Sequence, residues 1–407
     1  MIKKIVKDCK NIFNQIIKNH WNDFKTKHPK YDTPQYNVPI EKTLKCGMEE
    51  GGYTEYRCGE CGKGSKKIPF SCKSYFCLSC SKVNVDDVVT QVSKSLHIGV
   101  RYRHVVLTLP EQLRIYFYQN RQEGKLLSKL MQTGHKCLED AVSVMLRQTV
   151  KIGCIVVVQT HGRNGSYNPH LHIIMSSGGI NEAKNEWKDL SRVTYHILHK
   201  KWQYYLLKLM RTWDDSKAMN NLIDELYKKY PKGFVANAGK GEAPKKAKGL
   251  ARYLAKYVAS PPISVRRIIK YDGETVKYKY KDHKTGKEQI ETVTAEVFVG
   301  RMVQHIMPKG FQRIRYYGIQ ATKTNSKWRE KIEKLNKKRK NGTDDAYEIV
   351  KEMNYRQRYK AGCGKDPLKC PCCGSEMILW EIWHPEYGVI YSEEKRIRMG
   401  VYAQLSG

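Results

Sequence analysis

The stretch Ile155–Gly179, IVVVQTHGRNGSYNPHLHIIMSSGG, decides the fold of this chain. It predicts an apolar strand, a polar loop that contains glycine, and a second strand that carries His170 and His172. Because side chains alternate between the two faces of a strand, both imidazoles are expected on one face of the hairpin. With a third donor from the neighbouring strand, two imidazoles can hold a divalent metal ion and leave positions open for a substrate.

A second chemical pattern lies downstream of the hairpin. Residues 249–259 have helical composition and end before Pro261. They carry Tyr253 and Tyr257, which are four residues apart and therefore share one face of a helix. A metal ion on a sheet beside a nucleophilic tyrosine on a helix is suited to cutting single-stranded DNA. The alternative for the histidine pair and for the tyrosine pair is an ordinary role in packing.

The composition points to a nucleic-acid partner. The 407 residues include 74 Lys and Arg against 40 Asp and Glu, a formal net charge of +34. Such an excess predicts a polyanionic partner, because binding to phosphates releases counterions. No apolar run approaches the ~18 residues of a spanning helix, so no membrane partner is expected. The N-terminus lacks an apolar signal-peptide core, and we expect a cytoplasmic protein.

The first group of cysteines predicts a structural zinc site. Thirteen cysteines occur in the chain, and in a reducing compartment clusters of them indicate metal rather than disulfides. Two CxxC pairs, Cys58–Cys61 and Cys77–Cys80, are 15 residues apart, a spacing typical of a zinc ribbon with four thiolates. Cys46 and Cys72 are left over. Three roles are open to these two cysteines: replacing a ligand of the ribbon, supporting a second ion, or ordinary packing.

The second group of cysteines lies near the C-terminus. The sequence Cys370-Pro-Cys372-Cys373-Gly374 is typical of a zinc knuckle that supplies Cys370 and Cys373. The pattern leaves the remaining ligands open, with three candidates: Cys363, Cys372 and His384.

The remaining segments predict alternating helices and strands. Residues 102–110 predict a strand, and residues 111–146 predict helix, broken near Gly134. Asp272-Gly273 predicts the turn of a hairpin within residues 263–280. Residues 324–360 are rich in lysine and predict a solvated or DNA-facing helical arm. There is no GxxxxGK[ST] phosphate loop, which excludes an ATP-driven helicase or motor.

Several motifs occur in one order along the chain, and together they resemble a known family. They are the six-cysteine module that ends SCKSYFCLSC (71–80), PHLH (169–172), YLAKY (253–257) followed by Ile263-Ser264, PKGFQRIRYYG (308–318) and DPLKCP (366–371). This set resembles the rolling-circle insertion-sequence transposases of the HUH-endonuclease superfamily, the two-tyrosine type with an N-terminal zinc-binding domain. The resemblance implies an α+β fold: an antiparallel sheet with flanking helices, an N-terminal zinc ribbon and a small C-terminal zinc knuckle.

The resemblance also implies four segments. Residues 1–43 are expected to form a basic helical segment, and residues 44–95 a zinc-binding domain that contacts DNA. Residues 96–322 are expected to form the HUH catalytic domain. Residues 323–407 are expected to form the basic helical arm with the zinc knuckle.

The chemistry implied by the resemblance is strand transfer on single-stranded DNA. His170 and His172 hold Mg²⁺ or Mn²⁺, and the third ligand is Gln159 or His161. We favour Gln159, which lies within the apolar run, whereas His161 is at the edge of the loop. Tyr253 and Tyr257 are the nucleophiles and form a 5′-phosphotyrosyl intermediate. This energy-conserving intermediate needs no ATP, in keeping with the missing phosphate loop.

DNA contacts and partners follow from the same resemblance. Four basic residues are candidates for phosphate contacts: Lys256, Lys309, Arg313 and Arg315. The expected partners are single-stranded DNA at the element ends and target, a host helicase and the replication machinery. Two alternatives remain open. One is a plasmid or phage replication initiator or relaxase with the same chemistry, and the other is a non-enzymatic zinc-ribbon DNA-binding regulator.

Overall fold

The computed structural model describes residues 2–238, 249, 251–252, 261–282, 285–337 and 351–398. The chain divides into two compact units. Unit 1 comprises residues 1–83 and 351–407, and unit 2 comprises residues 84–350. Within the described residues, no helix is long and apolar enough to cross a membrane.

The described elements are a mixture of helices and antiparallel strands. The helices are α1 (Ile2–Lys27), α2 (Pro34–Leu44), α3 (Ser81–Ser95), α4 (Glu111–Gln119), α5 (Lys125–Leu146), α6 (Tyr195–Trp213), α7 (Lys217–Lys229), α8 (Ala295–Val303), α9 (Asn325–Lys337), α10 (Tyr355–Cys363) and α11 (Glu393–Arg398). The strands are β1 (Tyr53–Cys58), β2 (Ser65–Pro69), β3 (Tyr102–Thr108), β4 (Gly153–His161), β5 (Tyr167–Ser176), β6 (Gly178–Asn181), β7 (Glu186–Asp189), β8 (Ala236–Ala238), β9 (Ile268–Tyr271), β10 (Thr275–Lys281), β11 (Glu288–Thr294), β12 (Ile314–Gly318), β13 (Met377–His384) and β14 (Gly388–Ser392). The predicted α+β class is correct.

Unit 1 joins the two ends of the chain in one sheet. Its strand order is β14-β13-β1-β2. β1 pairs antiparallel with β13 from Tyr53↔Trp383 to Cys58↔Met377. The expected separation of an N-terminal zinc domain from a C-terminal knuckle is therefore wrong. β2 pairs with one edge of β1, and the C-terminal strand β13 pairs with the other.

The N-terminal helices belong to the core of unit 1. Ile16 and Ile17 of α1 are fully buried, as are Tyr36 and Ile40 of α2. The ring of Phe13 packs against the ring of Phe76, with centroids 5.5 Å apart. The segment over residues 1–43 contains the helices α1 and α2, and the apolar stripe of the amphipathic helix α1 is buried within the unit.

The larger sheet of unit 2 carries the predicted hairpin. Its strand order is β12-β4-β5-β3-β8, with β4 and β5 antiparallel neighbours at its centre. α5 covers one face with a buried core that includes Leu107, Val156 and Leu171. α5 is continuous across Gly134, although a break was predicted there. A Cβ at that position would lie 2.5 Å from Cδ1 of Leu171, so the glycine permits close approach of helix and sheet.

Two further segments of unit 2 complete its description. β9, β10 and β11 form a separate antiparallel sheet, and the predicted turn at Asp272-Gly273 is confirmed between β9 and β10. α9 buries Trp328 and Ile332, which are 5 % and 1 % exposed. The predicted arm over residues 324–360 is therefore not wholly solvated: its first helix packs through an apolar stripe.

Candidate metal centre and cysteine clusters

The strand register gathers imidazole and amide groups on the sheet face opposite α5. Gln159 of β4 pairs with His170 of β5, and Val157 pairs with His172. Leu171 faces the core beneath α5, so the two flanking histidines point the other way. The two imidazole centroids are 4.9 Å apart. Gln159 Oε1 lies 3.2 Å from His172 Nε2.

Each histidine has one ring nitrogen held by a neighbour. His170 Nδ1 is 2.7 Å from the carbonyl oxygen of Asn168, which can only accept, so Nδ1 carries the proton and Nε2 has a free lone pair. His172 Nδ1 lies 3.0 Å from Nε2 of His104 on β3. Metal-binding histidines usually donate their second nitrogen to such a partner. Sequence reasoning missed His104, although its alternation with the buried Val105 and Leu107 was a usable signal.

The site offers two imidazole nitrogens and one amide oxygen to a divalent cation. Two octahedral ligands ~2.1 Å from Mg²⁺ lie ~3 Å from each other, and the 3.2 Å between Gln159 Oε1 and His172 Nε2 is close to that value. His161 Nε2 lies 3.1 Å from Gln159 Nε2, behind the amide. Gln159 therefore presents its oxygen to His172 and its nitrogen to His161.

Burial keeps the imidazoles in the form that binds metal. Desolvation lowers the pKa of His172, and the charges of His170 and His104 lower it further. Desolvation also lowers the pKa of His104 to about 4. Both rings are therefore neutral at pH 7, and a neutral imidazole is the metal-binding form.

Hydrogen bonds from other segments of unit 2 hold the loop between β4 and β5 in place. The carbonyl oxygen of Gly165 accepts hydrogen bonds from Gln304 Nε2 and His305 Nε2, both at 3.0 Å. His305 Nδ1 in turn lies 3.0 Å from Thr160 Oγ1. Tyr278 donates its hydroxyl hydrogen to the carbonyl of Asn164 at 3.0 Å. These contacts fix the hairpin end where the candidate ligands lie.

Both predicted phosphate-binding arginines donate hydrogen bonds to groups of the protein itself. Arg315 pairs with Val156, whose side chain faces α5, and donates to Ser128 Oγ of α5 at 2.8 Å. Arg313 donates to the carbonyl oxygen of His305 at 3.1 Å. Lys309 is exposed. Arg315 lies on the sheet face that α5 covers, whereas Arg313 precedes the first residue of β12.

The predicted nucleophile helix is described only at its start. Gly249, Ala251 and Arg252 are helical. Tyr253, Lys256 and Tyr257 lie outside the described residues.

The first cysteine cluster consists of Cys46, Cys72, Cys77 and Cys80, whose sulfur atoms lie within 4.8 Å of one another. Cys80 Sγ is 3.5 Å from Cys46 Sγ and 3.6 Å from Cys72 Sγ. Four sulfurs ~2.3 Å from a tetrahedral zinc lie ~3.8 Å apart, so the donor set fits Zn²⁺ without an open position. Hydrogen bonds, that from Cys72 first, lower the pKa of the Cys46 thiol, which favours the thiolate that binds metal.

The second cluster draws its ligands from both ends of the chain and is called the split cluster below. It consists of Cys58, Cys61, Cys370 and Cys373. Cys58 and Cys373 sulfurs are 3.5 Å apart, and Cys61 and Cys370 sulfurs are 3.7 Å apart. The backbone N–H of Cys373 is the largest influence that lowers the pKa of Cys370, to about 6.

The predicted ligand pairing is therefore wrong, although all eight predicted cysteines lie in the clusters. The pairs Cys58–Cys61 and Cys77–Cys80 belong to different clusters. β1 carries Cys58 beside β13, so the knuckle before β13 meets the knuckle after β1. The other suggested ligands of the C-terminal knuckle are in neither cluster: Cys363, Cys372 and His384.

Comparison with known proteins agrees with this arrangement. Residues 16–109 match the family described as "Transposase zinc-binding domain", which is the zinc-binding domain of IS91 transposases. Residues 153–327, which include the histidine hairpin, match the family described as "Putative transposase". The chain belongs to the IS91 transposase family. DNA is thus the substrate of this transposase, and zinc has a structural role in it.

Two curated relatives extend over most of the transposase. The "Transposase for insertion sequence element IS801" of Pseudomonas savastanoi pv. phaseolicola is 27 % identical over 355 residues, 83 % of this chain and 82 % of that protein. The "Putative transposase y4qJ" of Sinorhizobium fredii (strain NBRC 101917 / NGR234) is 25 % identical over 391 residues, 90 % of this chain and 94 % of that protein. No solved structure matches the chain.

Proposed function

We propose that the transposase nicks and rejoins single-stranded DNA at the ends of its element, through metal-assisted attack by tyrosine, in rolling-circle transposition. The observation that carries the proposal is the histidine centre. His170 and His172 share a sheet face with Gln159 in reach, and each ring has its Nδ1 held by a neighbour. Such second contacts orient a ring toward a ligand on its other nitrogen.

The residues of the centre have separate roles in this proposal. Nε2 of His170, Nε2 of His172 and Oε1 of Gln159 would hold Mg²⁺ or Mn²⁺. The bound ion would polarise the scissile phosphate and offset the charge that builds on its oxygens. For His172 to bind the ion through Nε2, its Nδ1 would donate to Nε2 of His104, which lies 3.0 Å away. Burial keeps His104 neutral and able to accept, because it lowers the pKa of that ring to about 4.

The proposed nucleophiles are Tyr253 and Tyr257. A tyrosine oxygen attacks phosphorus, loses its proton, and forms an O–P bond while the bond from phosphorus to the 3′ oxygen breaks. The 3′ oxygen leaves as a hydroxyl, and the 5′ phosphate stays on the tyrosine. Attack by a DNA 3′-OH reverses the step, so rejoining consumes no nucleotide. Because the sequence has no phosphate-loop motif, a host helicase and the replication machinery would supply the single strand.

The test is a search for a covalent adduct between protein and DNA. Labelled single-stranded oligonucleotides that cover both element ends are incubated with the transposase and Mn²⁺ or EDTA, then resolved on denaturing gels. Wild type should form an adduct only with Mn²⁺. The double variant Tyr253→Phe/Tyr257→Phe should form none, whereas Tyr204→Phe, at an exposed position on α6, should behave as wild type.

Two results would count against the proposal. An adduct that persists in the double variant would remove the two tyrosines as nucleophiles. Tight binding of correct end sequences without any adduct, in either ion condition, would favour a DNA-binding role without strand cleavage.

A further inference from the structure

Arg114 lies next to the histidine centre along the path of the chain. β3 ends at Thr108, which pairs with His170, and α4 begins three residues later. Arg114 is in the first turn of α4. The helix is fixed against β5, because Tyr167 donates its hydroxyl hydrogen to the carbonyl of Phe117 at 3.3 Å.

The guanidinium of Arg114 has no partner within the described part of the chain. Its Nε atom is buried and makes no hydrogen bond, and the side chain takes part in no ion pair there. Arg114 is half-buried, and an anionic ligand would supply the partner that the described residues do not.

The charge of Arg114 reaches the candidate metal ligand. Burial is the largest influence that lowers the pKa of His170, and the positive charge of Arg114 lowers it further. Leu113 and Phe117 are fully buried in the core under α5, so they hold Arg114 at this edge of the sheet. The arginine is therefore part of the electrostatic surroundings of the centre.

We infer that Arg114 binds a phosphate of the DNA strand held at the histidine centre. The inference rests on the proposed function, and it assigns to Arg114 the role that the sequence suggested for Arg313 and Arg315. Those two side chains already donate to His305 and Ser128. A guanidinium presents parallel N–H donors that match two phosphate oxygens, whereas a lysine offers only a point charge.

The test compares single-strand binding and adduct formation in four proteins: wild type, Arg114→Gln, Arg114→Lys and Arg211→Gln. Arg211 is an exposed arginine of α6 and controls for the loss of one positive charge. The binding probe is a fluorescein-labelled 20-nucleotide oligothymidylate, titrated at several salt concentrations without Mn²⁺. Adducts are measured on the element-end oligonucleotides with Mn²⁺, and thermal unfolding and Mn²⁺ affinity are measured on every variant.

Loss of one phosphate contact has a defined signature. For Arg114→Gln, the slope of log affinity against log salt should fall by about 0.7, which is about 5-fold weaker binding at 0.1 M salt. Arg211→Gln should change binding less than about 2-fold, because exposed charges are screened beyond ~10 Å at this salt concentration. Arg114→Lys should keep the salt slope but form the adduct more slowly. Thermal unfolding and Mn²⁺ affinity should match wild type.

The outcomes separate this inference from the proposed function. Equal salt slopes for Arg114→Gln and Arg211→Gln would overturn the inference while leaving adduct formation by wild type intact. A lower melting temperature that accounts for weaker binding by Arg114→Gln would also overturn it, since the role would be structural. If wild type forms no adduct but Arg114→Gln still lowers the slope, the phosphate contact stands and the proposed function fails.

Discussion

Replacing Cys370 and Cys373 by serine should remove one of two zinc ions from the transposase. Both sulfurs lie in the split cluster with Cys58 and Cys61. The double variant leaves two thiolates there, too few to complete a tetrahedral zinc site. The first cluster keeps its four sulfurs, so its ion should stay. We expect the zinc content to fall from two ions per chain to one, and Cys58 and Cys61 to become reactive toward maleimide.

The free energy of zinc binding is large enough to offset the entropic cost of bringing the two ends of the chain together. Cys61 and Cys370 are separated by 309 residues along the chain. Closing a loop of that length costs up to about 6 kcal/mol of chain entropy. A structural zinc site contributes about 10–16 kcal/mol of apparent binding free energy near pH 7. Zinc binding therefore exceeds the cost of closure, even before the hydrogen bonds between β1 and β13 are included.

The assay is zinc content by mass spectrometry on full-length protein, with thiol labelling in parallel. The matched control is Cys363→Ser/Cys372→Ser, which removes two exposed cysteines from the same knuckle region. It should retain two zinc ions. If Cys370→Ser/Cys373→Ser also retains two, the split cluster is not a zinc site. Loss of both ions would show that the two clusters do not bind independently.

Three further predictions follow from named contacts. Gly64→Ala should lower zinc content, because the new Cβ would lie 2.3 Å from Sγ of Cys370, whereas Gly59→Ala has no atom within 4 Å of its Cβ and should not. His104→Ala should weaken Mn²⁺ binding about 10- to 100-fold in an electron paramagnetic resonance titration, the range for outer partners of metal ligands. His97 is buried and its pKa is lowered to about 4, so its folded state binds fewer protons than the unfolded state. The contribution of the neutral His97 ring to the free energy of unfolding is complete above about pH 6.5 and should fall by roughly 3 kcal/mol toward pH 4. His97→Gln should remove this part of the acid sensitivity, which urea unfolding at several pH values would measure.

Each of these has a contrary outcome. Equal zinc contents in the two glycine variants would contradict the close approach of the two knuckles. Wild-type Mn²⁺ affinity after removal of the His104 ring would mean that His172 is oriented without it. An unchanged pH dependence of unfolding in His97→Gln would mean that this ring is protonated as readily in the folded chain as in the unfolded one.

The histidine hairpin was predictable because it depends on a local period. Alternation along β5 places His170 and His172 on one face whatever the rest of the fold does. The same rule correctly kept Gln159 available on β4. The alternation of side chains along a strand does not predict which face of the sheet a neighbouring helix covers. Arg315 shows this limit, since it points toward α5 only because β12 pairs with β4 in the observed register.

The cysteine pairing was not predictable because it depends on contacts between distant segments. Each CxxC turn is a local feature, but the sulfurs that share an ion are decided by strand pairing. Cys58 ends β1, β1 pairs with β13, and the knuckle that precedes β13 supplies the missing ligands. The matched zinc-binding region ends at residue 109. That region contains every sulfur of the first cluster but only two of the split cluster, so the second zinc site depends on a segment that lies more than 200 residues beyond it.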